Sequence, residues 1–244
     1  MSNKALPDIS FVIDPRFNGP ADSGNGGYVC GLVASLIGEQ VKIRLQKPLP
    51  MGVPLAIRRL QSEAWQDQWQ VLNGDEVIAT VFKTEVVVDV PNPPTYLDAL
   101  AASKHYAGFQ NNLYPTCFVC GPERHRGDGL RIFAAAVPGR DIVAAPWLPD
   151  ATLGDSSGKV KPEFVWAALD CPGAYAAIPY GRPALLGEFA VHVSRLVHVD
   201  EPCVVTGWKI SVDGRKYRAG TALFDEDGEL CAFGHATWIE LLKA

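Results

Sequence analysis

Cysteine is scarce, with six in 244 residues, too few for a fold stapled by disulfides. Four of them, Cys30, Cys171, Cys203 and Cys231, stand singly among apolar neighbours, where a reduced thiol packs as a small hydrophobe. No apolar run approaches the ~20 residues of a membrane-spanning helix. The opening stretch, MSNKALPDISFVID, has no apolar core of the signal-peptide kind. The expectation is a cytoplasmic chain with no membrane partner. An excess of basic charge is also missing. Lys and Arg number 22 against 27 Asp and Glu, for a formal net charge of −5. Basic residues are scattered, apart from a short cluster at Lys209, Arg215, Lys216 and Arg218, so there is no footprint for nucleic acid. Low-complexity segments, a P-loop and a dinucleotide fingerprint are absent as well. Hydrophobic residues make up 48%, ample for one large core or two small ones.

What is present is an order of segments that occurs twice. In the first half an apolar, small-residue run of helical length, YVCGLVASLIG (28–38), precedes the alternating QVKIRL (40–45). PLAIRRL (54–60) follows a Pro-containing turn. WQVLNGDEVIATVFKTEVVV then carries Asn73-Gly74 between two apolar runs, a strong hairpin signal. In the second half FVWAALDCPGAYAAI (164–178) precedes FAVHVSRLV (189–197) and PCVVTGWKISV (202–212), and a further turn falls at Asp227-Gly228. Between the halves, Pro91, Pro93 and Pro94 stop a strand, and Thr95 to His105 suits a short helix. GLRIFAAAV and DIVAAPWL read as strands opening the second half. The pattern divides the chain into residues 1–92, a linker with a short helix over 93–112, and residues 113–244. A helix apolar on every side must be enclosed, and a curved sheet wrapped around it is the simplest enclosure.

Three passages resemble hotdog-fold acyl-CoA thioesterases of the phenylacetate-pathway type. CFVCGPERHRGDGLRIF (117–133) resembles a C-x-x-C-G segment that opens the fold in those proteins. GNGGYVCGLVASL (24–36) is similar to their His-Gly-Gly turn entering the central helix, with Asn25 in the place of His. FVWAALDCPGAYAA (164–177) is similar to the same helix in a second copy, with the family's helical acid at Asp170. The fold expected is α+β: a double hotdog, two antiparallel curved sheets each wrapped around a central apolar helix and joined into one long sheet.

The resemblance also implies a chemistry. In the family the amide of the first Gly after the His polarises the thioester carbonyl; here that is Gly26, with Gly27 beside it. Helix N-terminal amides are unsatisfied donors suited to a developing oxyanion, although the same glycine segment also suits a capped loop. Asp170, the only charge between Glu163 and Arg182, would be general base or nucleophile, and burial would raise its pKa. It would equally serve as a helix-end Asp bonded to nearby amides, since Pro172 must disturb the helix. The family places turn and acid nine residues apart, each site taking its amide from one protomer and its acid from the other. Nine residues after Asn25 stands Ala34, and nine before Asp170 stands Lys161, with Pro162 at the oxyanion position. Gly26 and Asp170 would therefore form one site between the halves. The opposite site, pairing Pro162 with Ala34, has neither amide nor acid.

The acyl chain is expected between the two helices, against Tyr28 and Trp166, with Asn25 also on the substrate side. Glu188 and Asn18 are weaker substrate-side candidates, each with a simpler reading as a strand-end charge and an Asn-Gly turn. No metal or redox cofactor is implied: Cys117-x-x-Cys120 is half of a zinc site, His105 and His125 are stray further ligands, and no second pair appears. The substrate would be an acyl-CoA or acyl-carrier thioester, and a homodimer of double hotdogs is compatible with the pattern. The alternative function is non-catalytic acyl-CoA or lipid binding, favoured by Asn25 and Pro172. A hotdog dehydratase is a third reading, weakened because Asp170 has no His in its segment.

Overall fold

A computed structural model describes residues 8–60 and 68–242; the first seven residues, part of the opening stretch read above, lie outside them. Strand β1 (Ile9–Val12) runs through a single 3-10 turn at Pro15–Phe17 to helix α1 (Gly26–Ile37). The helix starts because Asn25 is extended and its Oδ1 accepts from the Tyr28 amide at 2.8 Å, a side-chain N-cap. It stops at Gly38, which takes a left-handed φ of 74° and returns its amide to Ala34, a conformation that favours glycine. Strands β2 (Val41–Leu45), β3 (Pro54–Arg59), β4 (Gln68–Asn73) and β5 (Glu76–Lys83) follow. The Asn73-Gly74 turn falls between β4 and β5 as expected, with Gly74 at φ 60°. The linker helix forms as α2 (Tyr96–Ser103), capped by Thr95 on the Asp98 amide.

The second half contains β6 (Ala135–Ala136), β7 (Val143–Trp147), α3 (Pro162–Ala168), α4 (Cys171–Ala177), β8 (Ala184–Val193), β9 (Cys203–Asp213), β10 (Lys216–Phe224) and β11 (Leu230–Glu240). Two expectations change here. The apolar run 164–178 is not one helix: it breaks at Leu169-Asp170 into α3 and α4. Pro172 has no N–H to continue the first helix and suits the opening turn of a second. GLRIF is not a strand either, because Arg131 has φ 57°, which a continuous strand does not accommodate.

The strands form a single antiparallel sheet of eleven, in the order β1-β3-β4-β5-β2-β8-β11-β10-β9-β7-β6. The two expected sheets are thus joined, through β2 and β8, with Ile43 opposite Phe189. From that seam outward the order repeats: β2, β5, β4, β3, β1 on one side and β8, β11, β10, β9, β7 on the other. Each half therefore runs strand, helix, four strands.

The helices lie between these halves. A Cβ placed on Gly27 would stand 2.5 Å from the Asp170 Cβ, and one on Gly31 would stand 2.6 Å from the Trp166 Cβ and 2.7 Å from the Glu163 Cα. As α1 advances by one turn its contacts recede along α3, so the two helices cross antiparallel, backbone nearly on side-chain root. The large buried core around them includes Phe118, Ile132, Leu169 and Phe189. A second cluster forms on the other face of the sheet, where Ala99 and Ala102 of α2 cover Ala144, Val204 and Trp208. No helix among the described residues is long and apolar enough to cross a membrane.

Candidate active site

Asp170 sits at the break between α3 and α4, 2% exposed. Its side chain does not cap α4, which removes the simple helix-end reading. It reaches instead into the first half, where Oδ2 accepts from Asn25 Nδ2 at 2.7 Å and from the Gly27 amide at 3.1 Å. Oδ1 is buried and has no hydrogen-bond partner. A carboxylate oxygen left in this state is costly unless something else supplies the partner. Burial, then the Cys117 sulfur beside it, push the Asp170 pKa up to about 7, against the lowering effect of the Gly27 amide and Asn25.

The start of α1 is nearly saturated. The Asn25 amide donates to Phe17 O at 2.8 Å, the Tyr28 amide to Asn25 Oδ1, and the Gly27 amide to Asp170. Gly27 is therefore committed to holding the acid and cannot also bind an oxyanion, which corrects the expectation that both glycines might. The Gly26 amide has no partner among the described residues and opens on a cleft of about 820 Å³ that Asn25 and Asp170 also line. A Cβ on Gly26 would fall 2.9 Å from Leu186 Cδ2, so glycine keeps the cleft wall open at the amide.

The cleft wall is mainly apolar and drawn from both halves: Leu45 and Leu49 from the first, Ala174, Leu186 and Trp238 from the second. Tyr28 and Trp166 are not on it. Tyr28 stacks on Phe17 at 4.1 Å and packs on Phe164 at 5.7 Å. Trp166 lies against Gly31 and meets Phe189 edge-on. Both fill the helix crossing, which the close approach at Gly27 and Gly31 shuts, so the expected path between the helices is not open.

Asn18 and Glu188 also lie off the cleft. Asn18 is buried and donates to Gly19 O and Thr116 Oγ1 at 3.1 and 3.2 Å, while its Oδ1 accepts from Arg124. Its own carbonyl accepts the Phe118 amide, so it ties the two halves together. Glu188 lies opposite Arg44 across the sheet seam and pairs with Arg44 and Lys42 at 3.0 and 3.4 Å. These are partly exposed pairs, worth up to about 1 kcal/mol. Glu188→Gln is expected to lower stability by no more than that and to leave any catalytic rate unchanged; a rate loss beyond about threefold, in assays of the variant beside the wild type, would return Glu188 to the site.

One feature escaped the sequence. Cys117, from the C-x-x-C loop, lies 3.8 Å from Cys171, sulfur to sulfur, next to Asp170. Nothing in the single placement of Cys171 among apolar residues marked it as a partner of a loop 54 positions away.

No known family's sequence pattern matches the chain, and no curated protein matches it. Solved structures do. A tesB protein of Mycobacterium avium subspecies paratuberculosis matches with TM-score 0.61 and 15% identity over 96% of this chain and 93% of that one. A Thermobifida fusca protein provisionally named thioesterase II matches with TM-score 0.61 and 15% identity over 96% and 92%. A hot dog fold protein of unknown function from Alicyclobacillus acidocaldarius matches with TM-score 0.59 and 10% identity over 100% and 96%. The chain has the hotdog fold and spans 92–96% of the length of these structures.

Proposed function

We propose that this chain is a double hotdog, divided at residues 1–92 and 113–244 by the linker 93–112, that hydrolyses acyl-CoA or acyl-carrier thioesters at one site between its halves. The observation that carries this reading is the hydrogen bonding of Asp170 from the second half to Asn25 and Gly27 of the first, beside the free Gly26 amide. At the opposite end of the pseudo-symmetric pair, Pro162 offers no N–H and Ala34 no acid, so one site is retained and the other is lost.

The thioester carbonyl oxygen would accept from the Gly26 amide, where a preformed donor stabilises negative charge as it develops. Oδ2 of Asp170 is occupied, so Oδ1 is the reacting oxygen. As general base it takes a proton from water, whose oxygen adds to the carbonyl carbon. The carbon–sulfur bond then breaks, and the thiolate leaves with the proton that Asp170 held. A pKa near the working pH suits such a base. As nucleophile, the same oxygen would add to the carbonyl carbon and expel the thiolate, which takes a proton from solvent, leaving an anhydride that water opens to the free acid and the Asp170 carboxylate. The cleft volume falls within the usual range for small-ligand sites, ~300–1,000 Å³, and its apolar wall suits an acyl chain.

The test is thiol release from a panel of short to long acyl-CoAs. Wild-type turnover that depends on Asp170 and on chain length supports hydrolysis. Saturable acyl-CoA binding with no thiol released would instead select the non-catalytic binding role, and hydration of crotonyl-CoA would select the dehydratase.

A further inference from the structure

The C-x-x-C loop meets a third thiol in the tertiary structure. The sulfurs of Cys117, Cys120 and Cys171 all lie within 4.8 Å of one another, and all three residues are at least nine-tenths buried while bordering the cleft. In a tetrahedral zinc site with Zn–S near 2.3 Å, ligand sulfurs stand about 3.8 Å apart. The Cys117–Cys171 separation is 3.8 Å, so this pair needs no rearrangement to share an ion.

The loop is shaped around Cys117. Gly121 returns its amide to Cys117 O at 2.9 Å. A Cβ on Gly121 would stand 2.5 Å from Pro115 O and 2.6 Å from the Cys117 N, so the turn requires glycine. The Cys117 and Cys171 thiols share a contact in which either sulfur can donate, and the Cys120 and Val119 amides donate to the Cys117 sulfur. Asn25 Nδ2 lies 3.9 Å away on the opposite side. Amide donors around one sulfur are the arrangement by which outer groups support a thiolate ligand. His105 and His125 are not part of the trio. Three soft donors, one pair of them already at tetrahedral spacing, and no fourth protein sulfur leave one coordination position for a ligand from the cleft that all three residues border, as in open zinc sites.

We propose that Cys117, Cys120 and Cys171 bind one zinc ion per chain, with its fourth position open to the cleft. The trio borders the hydrolytic atoms, Cys117 beside Asp170 and Cys171 following it in sequence, but its readout does not depend on turnover. The experiment strips the reduced full-length chain with chelator, then titrates Zn²⁺ against a chromogenic chelator and records the spectrum with Co²⁺. One ion per chain, a thiolate-to-cobalt charge-transfer band and the visible bands of tetrahedral cobalt are expected. Cys117→Ser and Cys171→Ser should each weaken zinc binding at least about a hundredfold, beyond the ~10–100-fold typical of outer-shell changes. Cys203→Ser, on the distant strand β9, should leave it intact. Absence of the charge-transfer band in the wild type overturns the proposal, even where a serine variant fails to fold. Zinc binding that survives both substitutions, or binding of copper(I) without zinc, overturns it too.

Discussion

Asp170→Asn is expected to abolish thioester hydrolysis while making the protein more stable above neutral pH. The kinetic half follows from the loss of a base, worth about 10²–10⁴ in rate. The stability half follows from linkage. The folded chain raises the Asp170 pKa from 3.8 to about 7, so folding disfavours its charged form. A group raised in this way costs nothing below the unfolded pKa. Its cost grows as pH climbs from about 4 to about 7 and is complete above that. A shift of that size corresponds to on the order of 4 kcal/mol. Asparagine keeps an oxygen for Asn25 and Gly27 but never ionises. It leaves an amide in place of the unpaired Oδ1, which costs back about 1–3 kcal/mol. The net expectation is a variant about 1–3 kcal/mol more stable than the wild type at pH 8, with the gap closing by pH 5, measured by denaturant unfolding of metal-free protein at both. The wild-type kcat/KM should rise through about pH 7 and then flatten. A variant that keeps wild-type turnover, or is less stable at pH 8 than at pH 5 relative to wild type, would remove Asp170 from the role assigned to it.

Gly31→Ala carries the second large effect. The new methyl group would meet the Cβ of Trp166 and the backbone Cα of Glu163, at 2.6 and 2.7 Å. Neither atom can yield without moving α3. Overpacking of this kind costs about 1–3 kcal/mol and sometimes more; the upper end is expected here because the clash is with backbone. At about 2–4 °C per kcal/mol for a chain of this size, thermal unfolding should fall by roughly 6–12 °C. Ser35→Ala, one turn further along and exposed, should shift it by no more than a degree or two. An unchanged midpoint for Gly31→Ala would mean that α1 and α3 do not cross as closely as described. Because the crossing also holds Gly27 against Asp170, the variant should lose hydrolysis in proportion to the displacement of α3.

Local patterns carried much of the fold. The alternation of QVKIRL, the Asn73-Gly74 turn and the cap at Asn25 all act within a few residues, and each produced the expected element. Pro172 was legible as a disturbance, but the backbone decided its form: two helices with Asp170 at the joint. GLRIF has strand composition, yet its amides donate to the C-x-x-C loop, Leu130 to Phe118 O and Ile132 to Val119 O, and Arg131 turns out of the extended region to allow it.

The candidate site divides in the same way. Gly26 and Asp170 could be picked out because glycines before a helix and an acid inside an apolar run are unusual wherever they occur. Tyr28 and Trp166 could not be told from a substrate surface, since an aromatic ring on an apolar helix looks the same whether it faces a ligand or another helix. By itself the sequence determined most of the strands and helices and the order in which they recur in the two halves, because these depend on short-range propensity and periodicity. Only the tertiary structure decided that Gly27 serves the acid and leaves Gly26 to face the cleft, and that Cys171 joins Cys117 and Cys120. Those outcomes depend on how closely two helices pack and which loop lies against them, distances that no spacing along the chain encodes.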